Sequence, residues 1–160
     1  MLKQTKAARF QARGGRFAIV ASQYNQVYVD SMLRAARREL KRARAAEVRI
    51  VRVPGAYEIP LAAKRLAGDR AFGPSAVICL GVILRGETTH AQFIGEAVSR
   101  ALMEIQLTHE VPVIHEVLLL ENREQARARC LDPRHNRGGE AAQTALAMAR
   151  VMGKLNGSVA

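Results

Sequence analysis

The 160-residue chain contains no tryptophan, and aromatic residues make up only 4% of it. Leu, Val, Ile and Ala must therefore fill its core, and few rings remain to stack on nucleic-acid bases. Two cysteines, Cys79 and Cys130, are too few for a disulfide framework. Cys79 lies inside an apolar run and reads as a small buried hydrophobe, in keeping with a reducing cytoplasm. The longest clean apolar run, Ala76 to Leu84, falls far short of the ~20 residues of a membrane span. Met1 to Arg16 holds five basic residues and no apolar stretch, so it does not read as a secretion signal. Acidic residues are scarce as well: 14, against 25 Lys and Arg, for a formal net charge of +11.

What is present reads as one globular domain, with 49% hydrophobic and 24% charged residues. Residues 1–16 form a basic N-terminal extension, and 17–160 form a single α/β domain. A second basic cluster, Arg34, Arg37, Arg38, Lys41, Arg42 and Arg44, falls on one helical stretch. No nucleic-acid motif accompanies this charge. The cluster is read as the solvated face of an amphipathic helix, with neither nucleic acid nor membrane expected as a partner.

Hydrophobic periodicity predicts strands at Phe17–Ala21, Val48–Val53, Ala76–Val82 and Val111–Leu119. Helices are expected at Tyr28–Ala46, Ile59–Ala67, Thr89–His109, Glu121–Arg129 and Glu140–Met152. In the third helix Phe93, Ile94, Ala97, Ala101 and Ile105 are assigned to the inner side, with Leu102 as a further candidate for it. Such alternation implies right-handed crossovers and a parallel sheet covered on both faces. Ligands then bind beyond the carboxyl ends of the strands, where the strand order reverses. The segments to search are Ser22 to Asn25, Pro54 to Glu58, Leu84 to His90, and Leu120 to Asn122.

The stretch GVILRGETTH, Gly81 to His90, leaves a buried strand through a polar turn into a helix. Unpaired amides at a helix N-terminus seat anions, Gly86 lets the backbone approach a ligand, and Thr88 and Thr89 can cap or donate. A neutral imidazole such as His90 can accept a proton and return it. A capped helix with an incidental histidine explains the same residues. Glu58 can cap a helix or bind hydroxyls. Arg129 can meet a helix dipole or form a guanidinium fork for a phosphate. His109, His115 and His135 show no metal-ligand spacing, and GxGxxG, GxxxxGK[ST] and GxSxG are absent.

Taken together, VPGAYEIP (Val53 to Pro60), GVILRGETTH, VPVIHEVLLLEN (Val111 to Asn122) and HNRGGEAAQTAL (His135 to Leu146) resemble the lumazine synthase family. The correspondence runs in order from about Phe17 to Met152. It implies a flavodoxin-like three-layer α/β/α sandwich with a four-stranded parallel sheet. It implies pentamers with the active site between neighbouring subunits, and no metal or organic cofactor. The implied reaction condenses 5-amino-6-(D-ribitylamino)uracil with 3,4-dihydroxy-2-butanone 4-phosphate, the penultimate step of riboflavin biosynthesis. By position, His90 carries protons. Glu87 and Thr88 hold the phosphate through their amides, joined by Arg129 of the adjacent subunit. Tyr24, Asn25, Ala56, Tyr57, Glu58, Val82, Ile83 and Leu84 line the pyrimidine and ribityl site.

Three departures stand out. Tyr24 occupies a usual Phe or Trp position, His115 a usual Phe position at the subunit boundary, and Arg137 replaces the lysine of an Asn-Lys-Gly triplet near the site. The loop Cys130 to Gly138 carries no insertion, which favours a hollow icosahedral shell of pentamers. The family also raises riboflavin synthase as a protein partner. The alternatives are a flavin- or lumazine-binding scaffold without turnover, and a polyanion-binding assembly built on the basic segments.

Overall fold

The computed structural model describes residues 15–157, so most of the basic extension lies outside the described residues. Arg16 already belongs to the first strand.

Four strands, β1 (Arg16–Ser22), β2 (Glu47–Val53), β3 (Ala76–Leu84) and β4 (Val113–Leu120), form one parallel sheet in the order β2-β1-β3-β4. The central strands β1 and β3 are buried almost throughout, as continuous apolar runs covered on both faces should be. Helices α1 (Gln26–Arg42), α4 (Arg123–Cys130) and α5 (Arg137–Leu155) cover one face. Helices α2 (Ile59–Ala67) and α3 (His90–His109) cover the other. Alternate residues of each strand feed two cores. Phe17, Ile19 and Ile78 point to the α1/α5 side, and Ala18, Val20 and Val77 to the α2/α3 side. The expected three-layer α/β/α sandwich is what the chain forms. No helix among the described residues is long and apolar enough to cross a membrane.

The boundaries differ from expectation for local reasons. Helix α1 stops at Arg42 rather than Ala46, because Arg44 turns into the left-handed region at φ 62°. The six basic residues Arg34 to Arg44 are exposed. Helix α5 starts at Arg137, three residues before expectation, because the Asn136 side chain accepts from the Gly138 amide at 2.9 Å and caps it. The largest correction concerns α3. Its buried stripe is Ala91, Val98, Leu102 and Ile105, whereas Phe93, assigned inward, is 65% exposed, and Ala97 is exposed too. This helix has two apolar faces, and periodicity alone cannot say which one meets the sheet.

Both cysteine thiols are buried, and burial pushes their pKa values up, that of Cys130 to about 11. They act as core atoms. On the edge strand β4, His115 closes an otherwise open backbone group: the Val117 amide donates to its Nδ1 at 3.1 Å. Its Nε2 lies 2.8 Å from Ser99 Oγ, which donates to the Gly95 carbonyl at 2.7 Å. These partners fix the proton on Nε2.

Two consequences can be measured. A Cβ on Gly138 would collide with the Met32 carbonyl of α1. Gly138→Ala should therefore destabilise the fold by about 2 kcal/mol or more, although alanine is the better helix former. Denaturant unfolding checks this, and unchanged or raised stability would mean that α1 and α5 do not meet there. Partial burial holds the His115 pKa below its ordinary value. The unfolded chain therefore takes the proton more readily, and this part of the stability is complete above about pH 6.5 and lost as pH falls through the lowered value. Melting curves across that range should show less acid sensitivity for His115→Phe than for wild type; parallel curves would contradict the assignment.

Candidate functional site

After β1 the chain crosses to the α1 face, and after β3 to the α3 face, so the loops leaving these neighbouring strands diverge. The reversal opens a cleft of about 1130 Å³ at the carboxyl edge of the sheet. Three strand ends and one helix start build it.

From β1 come Tyr24 and Asn25. The Gln23 and Tyr24 amides continue the ladder onto the Val53 and Pro54 carbonyls at 2.8 and 3.0 Å, pinning this wall to the end of β2. Asn25 sits at φ 56°, a left-handed geometry that asparagine tolerates. Its Nδ2 donates to the Val82 carbonyl at 2.7 Å. That bond braces β1 against β3 across the reversal and leaves Oδ1 as the free polar atom of the side chain.

After β2, Ala56, Tyr57 and Glu58 form a single 3-10 turn beside the cleft. Glu58 Oε2 accepts from the Gly55 amide at 2.9 Å, so its side chain caps this 3-10 turn and not α2, which has no side-chain cap, and the other oxygen is still available. Tyr24 and Tyr57 are both largely exposed and hold aromatic faces at the opening. From β3, Val82 and Ile83 are buried and Leu84 half-buried, giving the cleft an apolar floor. Gly81 beneath them has no room for a side chain, since a Cβ would meet Ile59 and Val117 at 3.0 and 3.1 Å.

The polar turn then leads into α3. Gly86, Thr88 and His90 line the cleft, and Glu87 stands between them in the same exposed loop. Thr89 makes no side-chain cap, and the His90 amide has only a long 3.4 Å contact with Thr88 Oγ1. Among the described residues nothing accepts from the amides of Gly86, Glu87 or Thr88. Beyond its two chain neighbours, no atom of the described residues comes within 4 Å of a Cβ built on Gly86, so packing among them does not demand the glycine. The turn therefore presents several unpaired donors at the positive end of a helix, with an imidazole beside them. It can hold an anion and move a proton in the same space.

Sequence reasoning missed Phe93, Ile94, Ala97 and Arg123, which also line the cleft. The first three were hidden by the second apolar face of α3. Arg123 opens α4, and its place at the cleft depends on tertiary packing alone.

Three expected site residues lie outside this cleft in the single chain. His115 belongs to a separate open depression of about 740 Å³ with Ser99, Arg100 and Leu119. Arg129 is exposed near the end of α4. Arg137 is committed to two carboxylates, donating to both oxygens of Glu116 at 2.8 and 3.0 Å and to Glu140 at 2.6 Å. Glu116 was not singled out in the sequence. Burial pushes its pKa up against the pull of Arg137. Burial also works against the Arg137 cation, and the two carboxylates outweigh it.

The 6,7-dimethyl-8-ribityllumazine synthase family matches residues 14–153. A 6,7-dimethyl-8-ribityllumazine synthase of Coxiella burnetii (strain CbuG_Q212) is 39% identical over 139 residues, 86% of this chain and 91% of its own. One from Clostridium kluyveri (strain ATCC 8527) is 37% identical over 149 residues, 92% of this chain and 96% of its own. One from Stenotrophomonas maltophilia (strain R551-3) is 39% identical over 142 residues, 88% and 90% of the two chains. The match spans the whole sheet and every strand end of the cleft, and the chain belongs to the 6,7-dimethyl-8-ribityllumazine synthase family, transferases of riboflavin biosynthesis.

Proposed function

We propose that this chain condenses 5-amino-6-(D-ribitylamino)uracil with 3,4-dihydroxy-2-butanone 4-phosphate to give 6,7-dimethyl-8-ribityllumazine and inorganic phosphate. The observation that carries the reading is the uncapped start of α3, where unpaired amides and His90 meet the apolar end of β3 in one cleft. A flat pyrimidine fits between the aromatic faces of Tyr24 and Tyr57 and the floor of Val82, Ile83 and Leu84. Ribityl hydroxyls face Asn25, Ala56 and Glu58. The phosphate ester sits on the amides of Glu87 and Thr88.

The chemistry then needs little beyond positioning and proton transfer. The amine adds to the ketone carbonyl, and His90 moves the proton that lets water leave as the imine forms. Removal of a proton next to the imine expels the phosphate, whose negative charge the helix amides stabilise. The resulting enol takes up a proton to give a ketone, the second amine closes the ring on it, and loss of another water completes the lumazine. No step requires an external oxidant or reductant.

The reading also carries assembly. Leu61 on α2 and Phe93, Met103 and Leu107 on α3 are large apolar side chains left exposed among the described residues. We take these side chains to pack against a second copy in a pentamer, with His115 and Arg129 of one subunit completing the cleft of its neighbour. In His115 both ring nitrogens are already engaged, so it offers a neutral aromatic face in place of the family's usual Phe. An icosahedral shell and a cytoplasmic location follow the same family reading.

Purified protein given both substrates should form the lumazine faster than the spontaneous reaction in a no-enzyme control. His90→Ala should lower kcat by about 10²-fold, the usual scale of a lost general acid–base group, with assembly intact. Wild-type protein that only matches the control would defeat the proposal, and tight riboflavin binding without turnover would favour the binding-scaffold alternative. Light scattering should report a closed oligomer; a monomer at micromolar concentration would contradict the shared site.

A further inference from the structure

Outside the cleft, on the α4/α5 side of β4, one carboxylate lies almost out of reach of water. Glu116 is 7% exposed, and its neighbours on that face are the apolar Ile114 and Leu118. Its two oxygens accept from Nε and Nη2 of Arg137, and Nη1 of the same guanidinium donates to Glu140. All three Arg137 nitrogens are thereby engaged, in the bidentate geometry that holds an arginine most firmly. The positive charge of Arg129 also lies close enough to act on Glu116 and on the neighbouring Cys130. Yet Arg129 is exposed and has no ion-pair partner among the described residues. Of two guanidinium groups in the field of one buried carboxylate, one is fully committed and the other is free.

We propose that Glu116 and Arg137 are positioning residues for Arg129: Arg137 neutralises the buried carboxylate, which would otherwise draw Arg129 onto itself and away from substrate phosphate. This rests on the reading of Arg129 as a phosphate ligand. A buried carboxylate stripped of its cation is costly, and the nearest mobile cation relieves it. Arg137 thus acts on the phosphate through Arg129 and not by touching it, although its position near the site invites a direct role.

The test uses the assembled protein and two probes: affinity for inorganic phosphate by titration calorimetry, and KM for each substrate separately. Arg137→Ala should weaken phosphate binding and raise KM for the four-carbon phosphate on the order of tenfold, the worth of one charge-assisted contact. KM for the pyrimidine should stay put. Adding Glu116→Gln to Arg137→Ala removes the decoy charge and should restore both values toward wild type. A single Arg137→Lys, which cannot engage three carboxylate oxygens in the same fork, should fall between. A direct phosphate contact predicts no rescue by the double variant, and that result overturns the proposal, as does phosphate affinity unchanged in Arg137→Ala. Equal losses for both substrates would indicate a merely structural role and overturn it as well. Arg129→Ala separates the two layers: if it leaves phosphate affinity at the wild-type value, the phosphate seat itself is wrongly assigned.

Discussion

The reversal of strand order between β1 and β3 is the constraint on which the rest of the molecule depends. Two adjacent parallel strands send their chains to opposite faces of the sheet, and nothing in a β-ladder closes the gap above them. One hydrogen bond, from Asn25 to the Val82 carbonyl, spans that gap at its base. The ladder carried on by Gln23 and Tyr24 fastens the neighbouring loop of β2. Because these bonds fix the walls, the cleft is preformed, and its polar groups face a space of defined size. The start of α3 can then remain uncapped, since the fold does not need its amides.

The opposite edge of the sheet is handled differently. Strand β4 has a partner on one side only, and its outward groups are met by side chains of the same subunit. His115 takes up the Val117 amide on the α3 face, and Glu116 is locked to Arg137 on the α5 face. Consecutive residues of one strand thus point to opposite layers, each with its polar atoms engaged. In the assembly we propose, this edge meets the cleft of the next subunit. It contributes a flat neutral ring and one unpaired guanidinium, while the Glu116 carboxylate behind it stays paired with Arg137.

Much of this was legible in the chain because strands buried on both faces have an unmistakable signature. Ala76 to Val82 reads as a central strand, two residues short of the observed end of β3, and the loops after such strands are where a ligand is sought. The family resemblance rested on those same loops. The two faces of α3 were only partly legible: Leu102 and Ile105 were among the inner-side candidates, but Phe93 and Ala97 have the spacing of core residues too, and only packing shows that Ala91 and Val98 take the sheet. The early start of α5 turned on a cap by Asn136, which sits amid glycines and charges that suggest a loop. The commitment of Arg137 was hidden because its partner Glu116 is a charged residue within an apolar strand, 21 positions away. Pairing across that distance is decided by the fold. Of the two alternatives the sequence left open for Glu58, the structure shows a side-chain cap, made by a residue at the rim of the cleft.

The central claim is that a working site joins His90 of one subunit to Arg129 of another. Co-expressing the His90→Ala and Arg129→Ala chains tests it most directly, because neither has a complete site alone. In mixed rings at equal, random assembly about a quarter of the interfaces carry both intact residues, as head-to-tail symmetry requires. The account predicts lumazine formation well above the sum of the two variants measured apart, at limiting four-carbon phosphate. Activity no greater than that sum, in rings shown to be mixed, would contradict it.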